Sequence, residues 1–195
     1  MTTTTQLKTE RLILRQWRDD DLDAWAAMNA DAQVREYFPE VLTRSQSAAS
    51  LAYFRAGLAE RGWGWWAVEV AASGEFVGMT GLDPVDEELP FDGVEIGWRL
   101  ARPAWGHGYA TEAARAVLAY GFETIGMGEI LAITAAGNER SQAVMRRLGM
   151  TRDPADDFDD PTVPAGPLRH SVLYRIGRPN QPSMKTYKAA TSRSV

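Results

Sequence analysis

Residues Trp98 to Glu123 read WRLARPAWGHGYATEAARAVLAYGFE, and the rest of the chain is organised around them. The stretch begins as the end of an apolar strand, Val94-Glu95-Ile96-Gly97-Trp98-Arg99-Leu100. It turns at Arg102-Pro103 and crosses a glycine-bearing loop, Trp105-Gly106-His107-Gly108-Tyr109-Ala110-Thr111. Apolar residues then recur at Ala110, Ala113, Ala114, Val117, Leu118 and Phe122, which is helical spacing. Strand, tight loop and helix start together make an anion site. Glycine lets the backbone approach a ligand, and the unpaired N–H groups of the first helical turn point at it with the helix dipole behind them. A diphosphate suits such a site. A glycine turn that serves only packing is the plainer reading of the same residues.

Two familiar phosphate loops fit poorly. A Walker loop needs a Gly-Lys-Ser/Thr before its helix, and no lysine stands here. The dinucleotide fingerprint needs a third small residue and an acid at the end of the next strand. Here Thr111 follows the glycines, and the next apolar strand, Ile130 to Thr134, ends in threonine.

The loop resembles the pyrophosphate loop of the GNAT superfamily of N-acetyltransferases, written Q/R-x-x-G-x-G/A, with Gly108 and Ala110 on its last two defined positions. Trp105 stands where Gln or Arg is commonest, a departure resembling the branch of ribosomal-protein N-terminal acetyltransferases. The opening Thr9-Glu10-Arg11-Leu12-Ile13-Leu14-Arg15, followed by an acidic-capped helix, is similar to that branch. So is Asn138-x-x-Ser141 with Leu148-Gly149-Met150 after it. The resemblance spans residues 9–177 and implies one α+β domain, a mixed and mostly antiparallel sheet flanked by helices. Flexible tails are expected at 1–8 and 178–195.

Elsewhere the patterning is simpler. Acidic Asp19, Asp20 and Asp21 supply capping positions for a helix carrying Leu22, Trp25, Ala26 and Met28. A second helix is expected from Ser45 to Arg61, with Leu51, Phe54 and Leu58 on one side. Trp63, Trp65 and Trp66 belong to a strand buried on both faces, or else to a stacking platform. Asp83 to Gly93, with five acids and two prolines, reads as a solvated loop, and Asp153 to Pro167, with five aspartates and four prolines, as another. Such a long structureless connection usually has a function. A final strand is expected from Pro164 to Ile176.

The 195 residues suit one domain with a sizeable core. No cysteine is present, so a thiol nucleophile and disulfides are excluded. A net charge of −5 argues mildly against nonspecific nucleic-acid binding. No apolar run approaches the roughly 20 residues needed to cross a bilayer, and Met1 to Thr5 lack the regions of a signal peptide. The chain reads as a cytoplasmic protein, a monomer or a homodimer, with no metal site.

The resemblance implies transfer of an acetyl group from acetyl-CoA to a primary amine, a protein N-terminus or a small molecule, by direct attack in a ternary complex. Trp98, Arg99, Leu100 and the loop Trp105, Gly106, His107, Gly108, Tyr109, Ala110 and Thr111 would hold the cosubstrate. Asn138 and Ser141 would contact its pantetheine arm, although helix capping alone accounts for both. A main-chain N–H near Trp98 would meet the thioester oxygen as it gains charge. Glu95, a lone carboxylate on an apolar strand, is the candidate base, or else a surface glutamate. His107 has a suitable pKa but stands in the phosphate loop; His170, after the acidic stretch, is a weaker acceptor-site candidate, as are Tyr37 and Phe38. Met145 occupies the place of the family's usual proton-donating tyrosine, which leaves Ser141, a water or no group as the acid. Met145 also keeps open a second reading, a non-catalytic coenzyme A-binding sensor or structural subunit.

Overall fold

The computed structural model of the chain describes residues 5–178. Strands β1 (Leu7–Lys8), β2 (Leu12–Arg15), β3 (Trp65–Val70), β4 (Phe76–Pro84) and β5 (Val94–Leu100) pair antiparallel in sequence order. Strand β6 (Glu129–Ala135) then lies parallel to β5, and β9 (His170–Gly177) returns beside it. Two short strands, β7 (Thr151–Arg152) and β8 (Phe158–Asp159), pair with β9. The sheet is therefore mixed and mostly antiparallel, as expected.

Four helices flank it. Helices α1 (Asp21–Ala30) and α2 (Arg44–Arg61) cover one face, where Phe54 packs on Trp65 with ring centroids 6.1 Å apart. Helices α3 (Tyr109–Ala119) and α4 (Glu139–Arg147) cover the other. There Tyr120, in a π-turn that continues α3, meets Trp66 edge-on at 5.7 Å. Trp65 and Trp66 are thus both buried, on opposite faces of β3. The tryptophan run is core, not a stacking platform.

Local chemistry sets the helix ends. Thr43 and Gln46 form a reciprocal capping box, so α2 begins at Arg44, one residue before the expected start. Gly149, left-handed at φ 80°, follows the end of α4. The acidic triplet before α1 works differently from a simple cap. Asp20 makes no capping bond; the Asp21 carboxylate accepts from the Arg18 N–H at 2.7 Å and pairs with Arg15.

Arg15 is buried between Asp21 at 2.7 Å and Glu69 at 2.6 Å, tying α1, β2 and β3 together. Removing the cation would leave the buried Asp21 carboxylate without its ion pair and Glu69 with only the exposed Arg18. Arg15→Ala is expected to cost about 3–5 kcal/mol, read from urea unfolding. A loss within experimental error would show that solvent reaches the cluster.

Some expectations need correction. Leu7–Lys8 is an edge strand, with Leu7 opposite Leu14, so the folded domain begins before residue 9. From residue 179 the expected C-terminal tail lies outside the described residues. The acidic stretch after β4 is not merely solvated. Val85, Leu89 and Phe91 are buried with Leu131 and Leu173 in a second small core, which anchors the loop beside β6. Likewise Asp156, in the proline-rich stretch, is buried 3.3 Å from Arg175, and the last strand starts only at His170.

Candidate active site

Strand β5 is the centre of the site. Side chains of successive residues in a strand point to opposite faces. Gly97 faces α2: a Cβ added there would lie 2.9 Å from the Trp65 ring, so only glycine fits beneath it. Glu95 and Arg99 share that face, while Ile96, Trp98 and Leu100 alternate to the other. Strand β4 occupies one edge of β5 along its whole length, but β6 pairs with the other edge only at Glu95, opposite Leu131. Beyond Glu95 the two parallel strands diverge. The gap opens a cleft of about 1420 Å³.

The loop Trp105 to Gly108 borders this cleft. Gly106 and Gly108 are both left-handed, at φ 80° and 79°, which turns the chain sharply into α3. The first N–H groups of α3, at Tyr109, Ala110 and Thr111, have no intrahelical partner by helix geometry and favour an anion. Arg11 stands beside them. Its guanidinium lies 4.9 Å from the Tyr109 ring centroid and pairs with Glu112 at 2.6 Å. Burial alone would raise the Glu112 carboxyl, but bonds from Thr9 and Arg11 outweigh it and hold it below its ordinary range. The turn at Thr9 to Arg11 that makes these bonds lies just before β2, which begins at Leu12.

Of the cosubstrate residues expected from sequence, Trp98, Arg99, Leu100, Trp105, Gly106, Gly108, Tyr109, Ala110, Thr111, Asn138 and Ser141 line the cleft. His107 is the exception: the two left-handed glycines carry it outward, exposed and stacked on Tyr109 at 5.4 Å. His170 also lies off the cleft, exposed and 3.1 Å from Asp159. Asn138 accepts the Ser141 N–H at 3.1 Å and donates to Thr134 at 2.9 Å, so it caps α4 and fixes the cleft wall at once. Met145 is buried in that wall, with a sulfur that carries no proton.

Glu95 lies half-buried at the base of the cleft. Its carboxyl has no hydrogen-bond or ion-pair partner among the described residues. Burial first, then the negative charges of Asp83, Asp86 and Asp160, push it up to about 7. Asp83, its cross-strand neighbour, is by contrast satisfied: Tyr53, Arg61 and the Trp65 indole donate to it at 2.7–3.0 Å. One carboxylate is surrounded by donors while the next has none. Glu95 is thereby left able to take a proton near neutrality.

Some site residues carried no sequence signal. Arg11 reaches the loop only through tertiary packing. The segment between α1 and α2 crosses to α4, where Glu36 pairs with Arg140 and Arg140 lies 4.6 Å over the Trp105 ring. This strap closes the cleft on one side. Among the described residues there is no group of His, Asp and Glu placed to hold a metal ion, and no helix is long and apolar enough to cross a membrane.

Residues 11–151 match the family described as the acetyltransferase (GNAT) domain, which takes in the loop, β5 and α4 together. The chain belongs to the GNAT acetyltransferase family. It is 34% identical over 153 residues to the uncharacterized protein YkkB of Bacillus subtilis, covering 77% of this chain and 87% of that one. A GNAT-family acetyltransferase from Bacillus anthracis superposes with a TM-score of 0.75 at 25% identity, covering 89% of this chain and 99% of the other. RimL, a ribosomal L7/L12 α-N-protein acetyltransferase solved with coenzyme A, has the same fold, with a TM-score of 0.71 at 14% identity over 89% and 98%. Within this GNAT domain the cleft therefore falls at the split between β5 and β6, bordered by the glycine loop.

Proposed function

We propose that the chain transfers the acetyl group of acetyl-CoA to a primary amine, by direct attack in a ternary complex. The observation that carries this reading is the unpartnered Glu95 carboxyl, held near neutrality at the mouth of the sheet's open edge, with the glycine loop at the other end of the same cleft. The cleft residues fit acetyl-CoA chemically. Gly106 to Thr111 offer main-chain N–H groups to the diphosphate, and Arg11 adds a cation beside them. The open edge of β5 offers main-chain groups to the pantetheine arm, with Asn138 and Ser141 across from it. The main chain near Trp98 supplies the donor for the thioester oxygen.

Glu95 takes the proton of the acceptor ammonium, directly or through one water. The freed amine nitrogen forms a bond to the thioester carbon, the carbon–sulfur bond breaks, and the nitrogen's surplus proton passes to the departing thiolate or to solvent. The thiolate leaves with no tyrosine beside it, because Met145 fills that place; Ser141 is the nearest hydroxyl of the α4 wall. Of the acceptor classes, a protein N-terminus and a small amine both satisfy this chemistry.

Release of coenzyme A thiol from acetyl-CoA tests the reading, across N-terminal peptides, polyamines, aminoglycosides and amino acids. The protein has no cysteine, so its own background is low. Acceptor-dependent release is expected for one class. Release with none of them, while coenzyme A still binds, would instead favour the non-catalytic sensor.

A further inference from the structure

We infer that Arg99 forms an anion-recognising subsite for the acceptor, and that the acceptor is an amine carrying a carboxylate. This rests on the acetyl-transfer reading above. The starting observation is a contrast among arginines. Arg15, Arg61 and Arg175, each largely withdrawn from solvent, all pair with carboxylates, at 2.6–3.3 Å. Arg99 has no carboxylate within ion-pair reach among the described residues, and neither does Arg35 behind it. Arg99 donates once, to the Asn29 side-chain oxygen at 3.0 Å, and its Nε is buried with no partner. Arg35 donates to the Glu40 carbonyl at 2.8 Å.

Both guanidinium groups lie against one ring, Phe38, at 4.4 Å for Arg99 and 4.2 Å for Arg35. Two cations share an aromatic contact with no anion between them. Burial, and then the like charge of Arg35, push the Arg99 guanidinium down to about 9. An isolated buried charge is costly unless paired. The described residues supply no anionic partner, and Arg99 lines the cleft through which one would come from solution.

Position argues for the acceptor over coenzyme A. Arg99 lies on the α1 and α2 face of β5, beside Asn29 and 5.4 Å from Trp25. The anion-binding loop instead begins the helix on the opposite face, with its own arginine. Glu95 and Arg99 share one strand face, so their Cα atoms stand roughly 13 Å apart at about 3.3 Å per residue. Gly97 lies between them with the Trp65 ring over it, which gives that stretch an apolar floor. The amine would meet Glu95, an apolar spacer would cross Trp65, and the carboxylate would reach Arg99 in the two-pronged geometry that guanidinium offers.

The test compares ω-amino carboxylates of increasing chain length with their carboxamides, in wild type, Arg99→Gln and Arg99→Lys. Thiol release gives kcat/KM for each pair. Wild type is expected to favour the carboxylate by roughly 10- to 100-fold, Arg99→Gln to bring the ratio near one, and Arg99→Lys to keep part of it. A ratio near one in wild type overturns the inference. So does a Gln variant that lowers both substrates equally, or one whose main loss is coenzyme A affinity, since a purely structural arginine would do either. Ligand-induced Tm shifts of the coenzyme A-loaded protein read the same preference without turnover. A shift specific to the carboxylate and lost in both variants or in Arg99→Gln alone supports the subsite even where no thiol is released, and its absence counts against it. Absence of thiol release with such a shift present would count against acetyl transfer only.

Discussion

Gly108→Glu abolishes coenzyme A binding, with an expected fall of more than about 100-fold in affinity by calorimetry. Two effects add. Gly108 sits at φ 79°, where an L side chain costs about 1–2 kcal/mol. The new carboxylate also enters the helix start that the diphosphate needs. The Arg11 guanidinium lies 3.6 Å from an added Cβ, so the new charge competes for the cation the ligand would use. Gly108→Ala separates the two effects. It carries the conformational cost, visible as lower stability, and should leave affinity within about tenfold. Wild-type affinity in the glutamate variant would remove this loop as the diphosphate site.

Glu95→Gln is expected to lower kcat by about 10²- to 10⁴-fold, the usual contribution of a positioned base, with little change in coenzyme A affinity. The pH dependence follows from its environment. With the carboxyl raised from 4.5 to about 7, the proton-accepting form appears only as pH climbs through about 7, so wild-type kcat/KM should rise there. The glutamine variant should lack that limb. Stability runs the other way. Between 4.5 and about 7 the folded protein holds a proton that the unfolded chain has released. The stabilisation from this group is complete below 4.5 and is lost as pH rises through about 7. Glu95→Gln should therefore flatten the stability profile across that window while it lowers turnover. A variant with the wild-type rate at every pH would dismiss Glu95 as the base.

The parts of the site legible in the sequence are those written in local spacing. The glycine loop, the α3 start, Asn138 with Ser141 and the lone Glu95 each depend on neighbours within a few residues, and all of them border the cleft. What was not legible depends on segments far apart in the chain. Arg11 reaches the loop by its contact with Glu112, about a hundred positions away. The stretch after β4 is rich in acids, yet Leu89 and Phe91 find a core only because β6 and β9 supply Leu131 and Leu173. His107, for which plain exposure or phosphate contact was expected, stands exposed between two left-handed glycines, a placement that residue type does not announce. Arg99, expected among the cosubstrate residues by its place on β5, lines the same cleft with its side chain against Phe38 and Trp25, contacts that no local spacing announces.

The alternation of β5 also bears on how this family member can change over time. Seven residues serve three duties at once: one face presents Glu95 and Arg99, the other packs against α3, and the outer edge stays open. Point substitutions can retune any one duty separately. A single inserted or deleted residue between Val94 and Leu100 exchanges the faces and moves all three together. Length variation among descendants should therefore collect in the flanking turns and leave this heptapeptide fixed in length, even where its letters drift.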